Sequence, residues 1–121
     1  MRRALPAAVL DIAVILVFAA IGRASHHESN PVVDALGTAW PFLAGAALGW
    51  AVSVVVWRVA PILVRHSLPV WICAVAGGML LRQLTGRGVA FSFVVVATIF
   101  LGVFLLGWRA IASFWQRKAK P

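Results

Sequence analysis

The chain has 121 residues, 63% of them hydrophobic and 12% charged, with a formal net charge of +8. A mean hydropathy of +0.99 excludes an ordinary soluble domain, whose apolar share is nearer half. The positive charge does not indicate a nucleic-acid partner, because the eleven Lys and Arg residues cluster just outside long apolar runs, where cations set topology and meet anionic lipid.

The expected fold class is therefore all-α: a polytopic integral membrane protein, four transmembrane helices in one bundle, forming a single membrane domain over residues 1–121. The first helix is expected at about 5–22, with Pro6 in its first turn. Its start, Met-Arg-Arg before an apolar run, also fits a secretory signal peptide. Asp11 breaks that run and three more spans follow, so it is read as a retained span. Residues 24–39 are the longest non-membrane stretch. Within them Asn30-Pro31 predicts the start of a short surface helix in the first outer loop, ended at Gly37. Helix 2 is expected at about 40–59, beginning at Trp40-Pro41 and closing on Trp57-Arg58. Helix 3 follows at about 68–84, opened by Ser67-Leu68-Pro69 and closed by Arg82-Gln83. Thr85-Gly86-Arg87-Gly88 predicts a turn, and helix 4 runs over about 89–114 before a basic tail at 115–121.

Four spans place both termini on one side. With that side cytoplasmic, the inner bases are Arg2, Arg3, Arg58, Arg65, Arg109, Arg117, Lys118 and Lys120, leaving Arg23, Arg82 and Arg87 outside. Eight against three is the bias expected of a plasma-membrane protein with cytoplasmic termini.

Small residues recur at helix-packing intervals: Gly45, Gly49 and Ser53 on helix 2, Ala74 and Gly78 on helix 3, Thr98 and Gly102 on helix 4. They predict close backbone approach, either within one chain or along a homo-oligomer seam. The six tryptophans lie mostly near helix ends and read as interfacial anchors.

Asp11 is the one carboxylate inside an apolar run. At the bilayer centre an acid costs on the order of 2.5–3.5 kcal/mol, so a partner or a water path is expected. Arg109 and Arg58 belong to the same inner side and are the candidate partners. One reading is a carboxylate that handles protons or ions. The other is an interhelical lock, for which exchanging Asp11 and Arg109 should recover the stability lost in either single change. A second candidate cluster lies at the outer mouth: Arg23, Ser25, His26 and His27 leaving helix 1, with Arg82 and Thr85 leaving helix 3. Arg82 lies on the small-residue face of helix 3 and needs a partner, for which Glu28 and Asp34 are the candidates. Adjacent histidines point about 100° apart on a helix and do not chelate one ion by themselves. Cys73 is the only cysteine, so no intrachain disulfide forms, and no zinc spacing occurs. Neither a metal nor a cofactor is expected. No nucleotide loop, nucleophile elbow or carboxylate pair is present, which speaks against an enzyme.

Four pieces in order carry a resemblance: Gly22-Arg23-x-Ser25-His26; Trp40-Pro41-Phe42-x-x-Gly45 with Gly49-Trp50; Arg82-x-x-Thr85-Gly86-x-Gly88-x-x-x-Ser92-Phe93-x-x-Val96-Ala97; and Gly107-Trp108-Arg109. The pattern resembles a family of small prokaryotic multi-span membrane proteins classed as a domain of unknown function. The resemblance implies a small multi-span membrane protein and no activity. The leading functional expectation is a non-enzymatic transporter- or channel-like bundle in contact with the lipid bilayer. The alternatives are an accessory or assembly subunit of a larger membrane complex and, last, a membrane-embedded enzyme.

Overall fold

In lipid the backbone has no water to bond, so apolar runs of this length close their hydrogen bonds internally as helices. The structure, a computed structural model, describes residues 4–24, 31–86 and 91–119. The elements are α1 (Ala4–Ala24), α2 (Pro31–Trp57), α3 (Val64–Leu84), α4 (Phe91–Leu101), a π-helical segment (Gly102–Leu106) and α5 (Gly107–Ala119). The α4, π and α5 segments follow one another without a break, so the chain makes four long helices, each long and apolar enough to cross a membrane. No strand occurs among the described residues.

The expected surface helix is not a separate element. Pro31 opens α2, which continues unbroken through Gly37, Trp40 and Pro41 to Trp57. Gly37 keeps a right-handed conformation; Gly86 is the glycine with positive φ among the described residues. The carbonyl that a proline ring at 41 would crowd belongs to residue 37. Glycine there, lacking a Cβ, gives the backbone room to adjust, and so it carries the helix through rather than ending it. Likewise α3 starts at Val64, ahead of Ser67, and Pro69 falls inside it.

Packing follows the small residues. Gly45 and Gly49 are buried against the α3 backbone at Cys73, Ala74, Pro69 and Val70, while Gly78 receives the ring of Phe42. The two stripes thus face each other within one chain, α2 against α3. Gly102 lies under the Trp71 ring, and the Thr98 hydroxyl donates to the Val94 carbonyl. The core contains Ile15, Phe18, Ala19, Phe42, Ala46, Val70, Ala74, Ala97, Leu101 and Leu105. Phe18 lies toward the end of α1 away from Asp11, with ring centroids 5.3 Å from Phe42, 5.7 Å from Phe93 and 5.4 Å from Phe100. Outside this core the helices present Val9, Val17, Leu48, Val55, Ile72, Leu80, Ile99 and Val103, all exposed. Such a continuous apolar exterior suits hydrocarbon and not water.

Candidate functional site: a buried carboxylate–guanidinium knot

Asp11 lies seven residues into α1, Trp50 seven residues before the end of α2, and Trp108 seven residues before Trp115, the end of the last apolar span. At 1.5 Å per residue each is about 10 Å from the same end of the bundle. Three helices therefore deliver polar side chains to one level, roughly a third of the way into a hydrocarbon core of about 30 Å.

There the chains interlock. Arg109 meets Asp11 as a bidentate pair, Nη1 donating to Oδ1 at 2.8 Å and Nη2 to Oδ2 at 2.7 Å. The Trp108 indole donates to Oδ1 at 2.9 Å and the Trp50 indole to Oδ2 at 2.8 Å. Each carboxylate oxygen thus accepts two hydrogen bonds. The guanidinium is held from behind: Nε donates to the Pro61 carbonyl at 2.7 Å, and Nη1 also donates to the Leu105 carbonyl at 2.8 Å. Its carbon lies 4.4 Å from the centroid of the Trp108 ring. Asp11 is 2% exposed and Arg109 fully buried. Planar, bidentate pairing is what a guanidinium does that an ammonium cannot.

Local structure places these groups. Leu105 is in the π-helical segment, one turn before Arg109, so a widened turn presents its carbonyl to the guanidinium. At the other end of that segment the Trp71 indole donates to the Thr98 carbonyl at 3.0 Å. Single-turn π segments inside α-helices are often found at functional sites. Pro61 is delivered by the α2–α3 connector. Its turn is made by Arg58, which has φ +60° and donates its N–H to the Val54 carbonyl. The Ser53 hydroxyl reaches the Val59 carbonyl at 3.3 Å and braces the return. A left-handed residue other than glycine costs roughly 1–2 kcal/mol. Arg58→Gly should therefore keep stability within about 1 kcal/mol, whereas the β-branched Arg58→Val should lose about that amount or more, read by thermal unfolding in detergent.

Of the two candidate partners, Arg109 pairs with Asp11 and Arg58 does not: it is exposed in the connector. Trp40, Trp57 and Trp115 are exposed, whereas Trp50, Trp71 and Trp108 turn their N–H groups to protein acceptors on other helices. A tryptophan in mid-span was the available signal. Its N–H must find an acceptor, and the one side-chain carboxylate within the apolar runs is Asp11. Replacing Trp50 with Phe keeps the ring and removes one donor to the carboxylate. A loss of about 1.5–3 kcal/mol is expected in detergent unfolding, and no loss would mean that this bond is not formed.

The outer cluster is placed only in part. Ser25, His26 and His27 lie outside the described residues, as does the side chain of Arg23. Glu28 and the side chain of Asp34, the acids expected to face Arg82, lie outside them too. Arg82 stacks on Phe93, 4.4 Å from the ring centroid. The Thr85 hydroxyl donates to the Leu81 and Arg82 carbonyls, closing its own helix rather than bridging to another. No cluster of three metal-ligating side chains occurs among the described residues.

A groove of about 370 Å³ between α1 and α2 reaches Asp11 and Trp50 past Ala8, Ile12, Leu43 and Ala47. A family model described as a protein of unknown function, DUF3054, matches residues 8–112. The chain belongs to the DUF3054 family. The matched region of this DUF3054 chain holds every residue of the knot, from Asp11 to Arg109. No curated protein and no solved structure matches the chain.

Proposed function

We propose that this integral membrane protein is a non-enzymatic structural component, an accessory or assembly subunit of a larger membrane complex. Its termini face the cytoplasm and its location is the plasma membrane. The observation that carries the reading is the saturation of the knot. A group that moves protons or ions must exchange partners with water or cargo. Here each carboxylate oxygen accepts two hydrogen bonds from protein donors, and the guanidinium is enclosed by Asp11, two carbonyls and an indole. Such an arrangement supports a rigid element better than a moving one. The eight-to-three distribution of basic residues supports the orientation.

The second reading, a small carrier, draws support from the α1–α2 groove, which brings open space to the edge of Asp11. Gentle detergent extraction separates the two. A stoichiometric protein companion that stays bound through purification is the expected result. A companion-free chain that catalyses solute or ion flux in proteoliposomes, with the flux lost in Asp11→Asn, would replace the subunit by the carrier.

A further inference from the structure

The sequence distributes its bases unevenly between the segments that flank the apolar spans. The sequence puts Arg2 and Arg3 ahead of α1, and Arg117, Lys118 and Lys120 after the last apolar span, with no acid near them; Arg58 and Arg65 are exposed at the α2–α3 connector and the start of α3. Arg109 is matched by Asp11. Beside that connector opens a cleft of about 490 Å³ between the start of α3 and the last helix, lined by Leu63, Val64, Arg65, Ala110, Ser113 and Phe114. The groove beside Asp11 has nearly apolar walls, whereas this cleft combines both characters. Arg65 brings an exposed cation and Ser113 a hydroxyl; Leu63, Val64 and Phe114 bring apolar surface. No side chain caps the N-terminus of α3, and its first turn holds no acid. The N–H groups of Val64 and Arg65, two residues that line the cleft, therefore have no helical acceptor.

We propose that this cleft binds the phosphate headgroup of an anionic phospholipid. Arg65 and the Ser113 hydroxyl contact the phosphate, and an acyl chain descends along Phe114. The chemistry fits one occupant on both sides: a phosphate oxygen for a cation, a hydroxyl and free amides, and hydrocarbon for the apolar wall. A leaflet rich in anionic lipid suits an exposed arginine at the membrane-facing end of the bundle. Bulk attraction alone would make the exposed bases equivalent; the cleft singles out Arg65.

The test adds lipid to the detergent-purified full chain and reads thermal stability and native mass spectra. Phosphatidylglycerol should raise the unfolding temperature and remain bound as a single adduct, while phosphatidylcholine and inorganic phosphate should do neither. Arg65→Ala with Ser113→Ala should weaken phosphatidylglycerol binding about tenfold or more. Arg58→Gly removes a charge from the α2–α3 connector outside the cleft and should leave it within about twofold. Equal weakening by the two variants would reduce the effect to bulk charge and overturn the site. Equal protection by phosphatidylcholine, or by inorganic phosphate alone, would overturn the headgroup assignment.

Discussion

Replacing Arg109 with alanine is expected to cost about 3–5 kcal/mol of stability, close to the whole stability of many small domains. The change leaves Asp11 2% exposed with no countercharge, and leaves the Pro61 and Leu105 carbonyls without their donor. Unfolding in detergent, followed by circular dichroism or tryptophan emission, checks it. Exchanging the two residues, Asp11→Arg with Arg109→Asp, is not expected to recover the loss, although a lock considered as charges alone predicts recovery. The surroundings are not symmetric. Two indole donors face position 11 and two carbonyl acceptors face position 109. The exchanged pair would meet donors with a donor and acceptors with an acceptor. Full recovery would show that the indoles and carbonyls contribute little.

The second large effect is expected at Gly49. A Cβ there would lie 2.6 Å from the Pro69 carbonyl oxygen and closer still to the Val70 Cα, so the obstacle is backbone on both counts. Gly45 is similar, 2.9 Å from the Ala74 Cα and nearer to the Cys73 carbonyl. Backbone cannot rotate away. Gly49→Ala must push α2 and α3 apart along their whole interface, for a loss of about 1–3 kcal/mol, and Gly49→Val must lose more. By contrast, Gly78 abuts the buried Phe42 ring rather than backbone, and a side chain adjusts by less than a helix-wide separation, so Gly78→Ala should cost less than Gly49→Ala. Parallel melting curves of the three variants give the ordering, and a Gly78→Ala loss larger than that of Gly49→Ala would contradict the packing described.

Much of the architecture was legible because lipid imposes a simple rule on sequence: long apolar runs become helices, and small residues at spacings of four mark where they touch. The stripes at Gly45, Gly49 and Ser53 and at Ala74 and Gly78 were readable in that way, although spacing could not tell an intrachain contact from a seam between copies. The α2 boundary misled because Asn30-Pro31 and Gly37 have the composition of helix ends. Context decides whether glycine stops a helix or relieves the proline four residues later. At the knot, Asp11 was visible as a carboxylate in need of a partner. The choice of Arg109 over Arg58 was not, because it depends on the left-handed turn at Arg58 that sends Pro61 back toward the last helix. An indole near a helix end reads as an interfacial anchor, because sequence position does not say which way its N–H points; Trp50 and Trp108 turn theirs to Asp11. The widened turn at Gly102–Leu106 has no sequence signature, although the Leu105 carbonyl within it accepts from Arg109.

These observations assign the knot a definite mechanical role. Asp11 and Arg109 are 98 residues apart in sequence, on the first and last spans. α1 meets α2 broadly but the last span only narrowly. In lipid no hydrophobic drive holds one apolar helix to another, so polar contacts and close packing must do so. A double-mutant cycle on Asp11→Asn and Arg109→Met, measured as unfolding free energy in one detergent, tests this role most directly. A coupling energy of about 2–3 kcal/mol between the two positions is the predicted result; additivity within about 0.5 kcal/mol would contradict it.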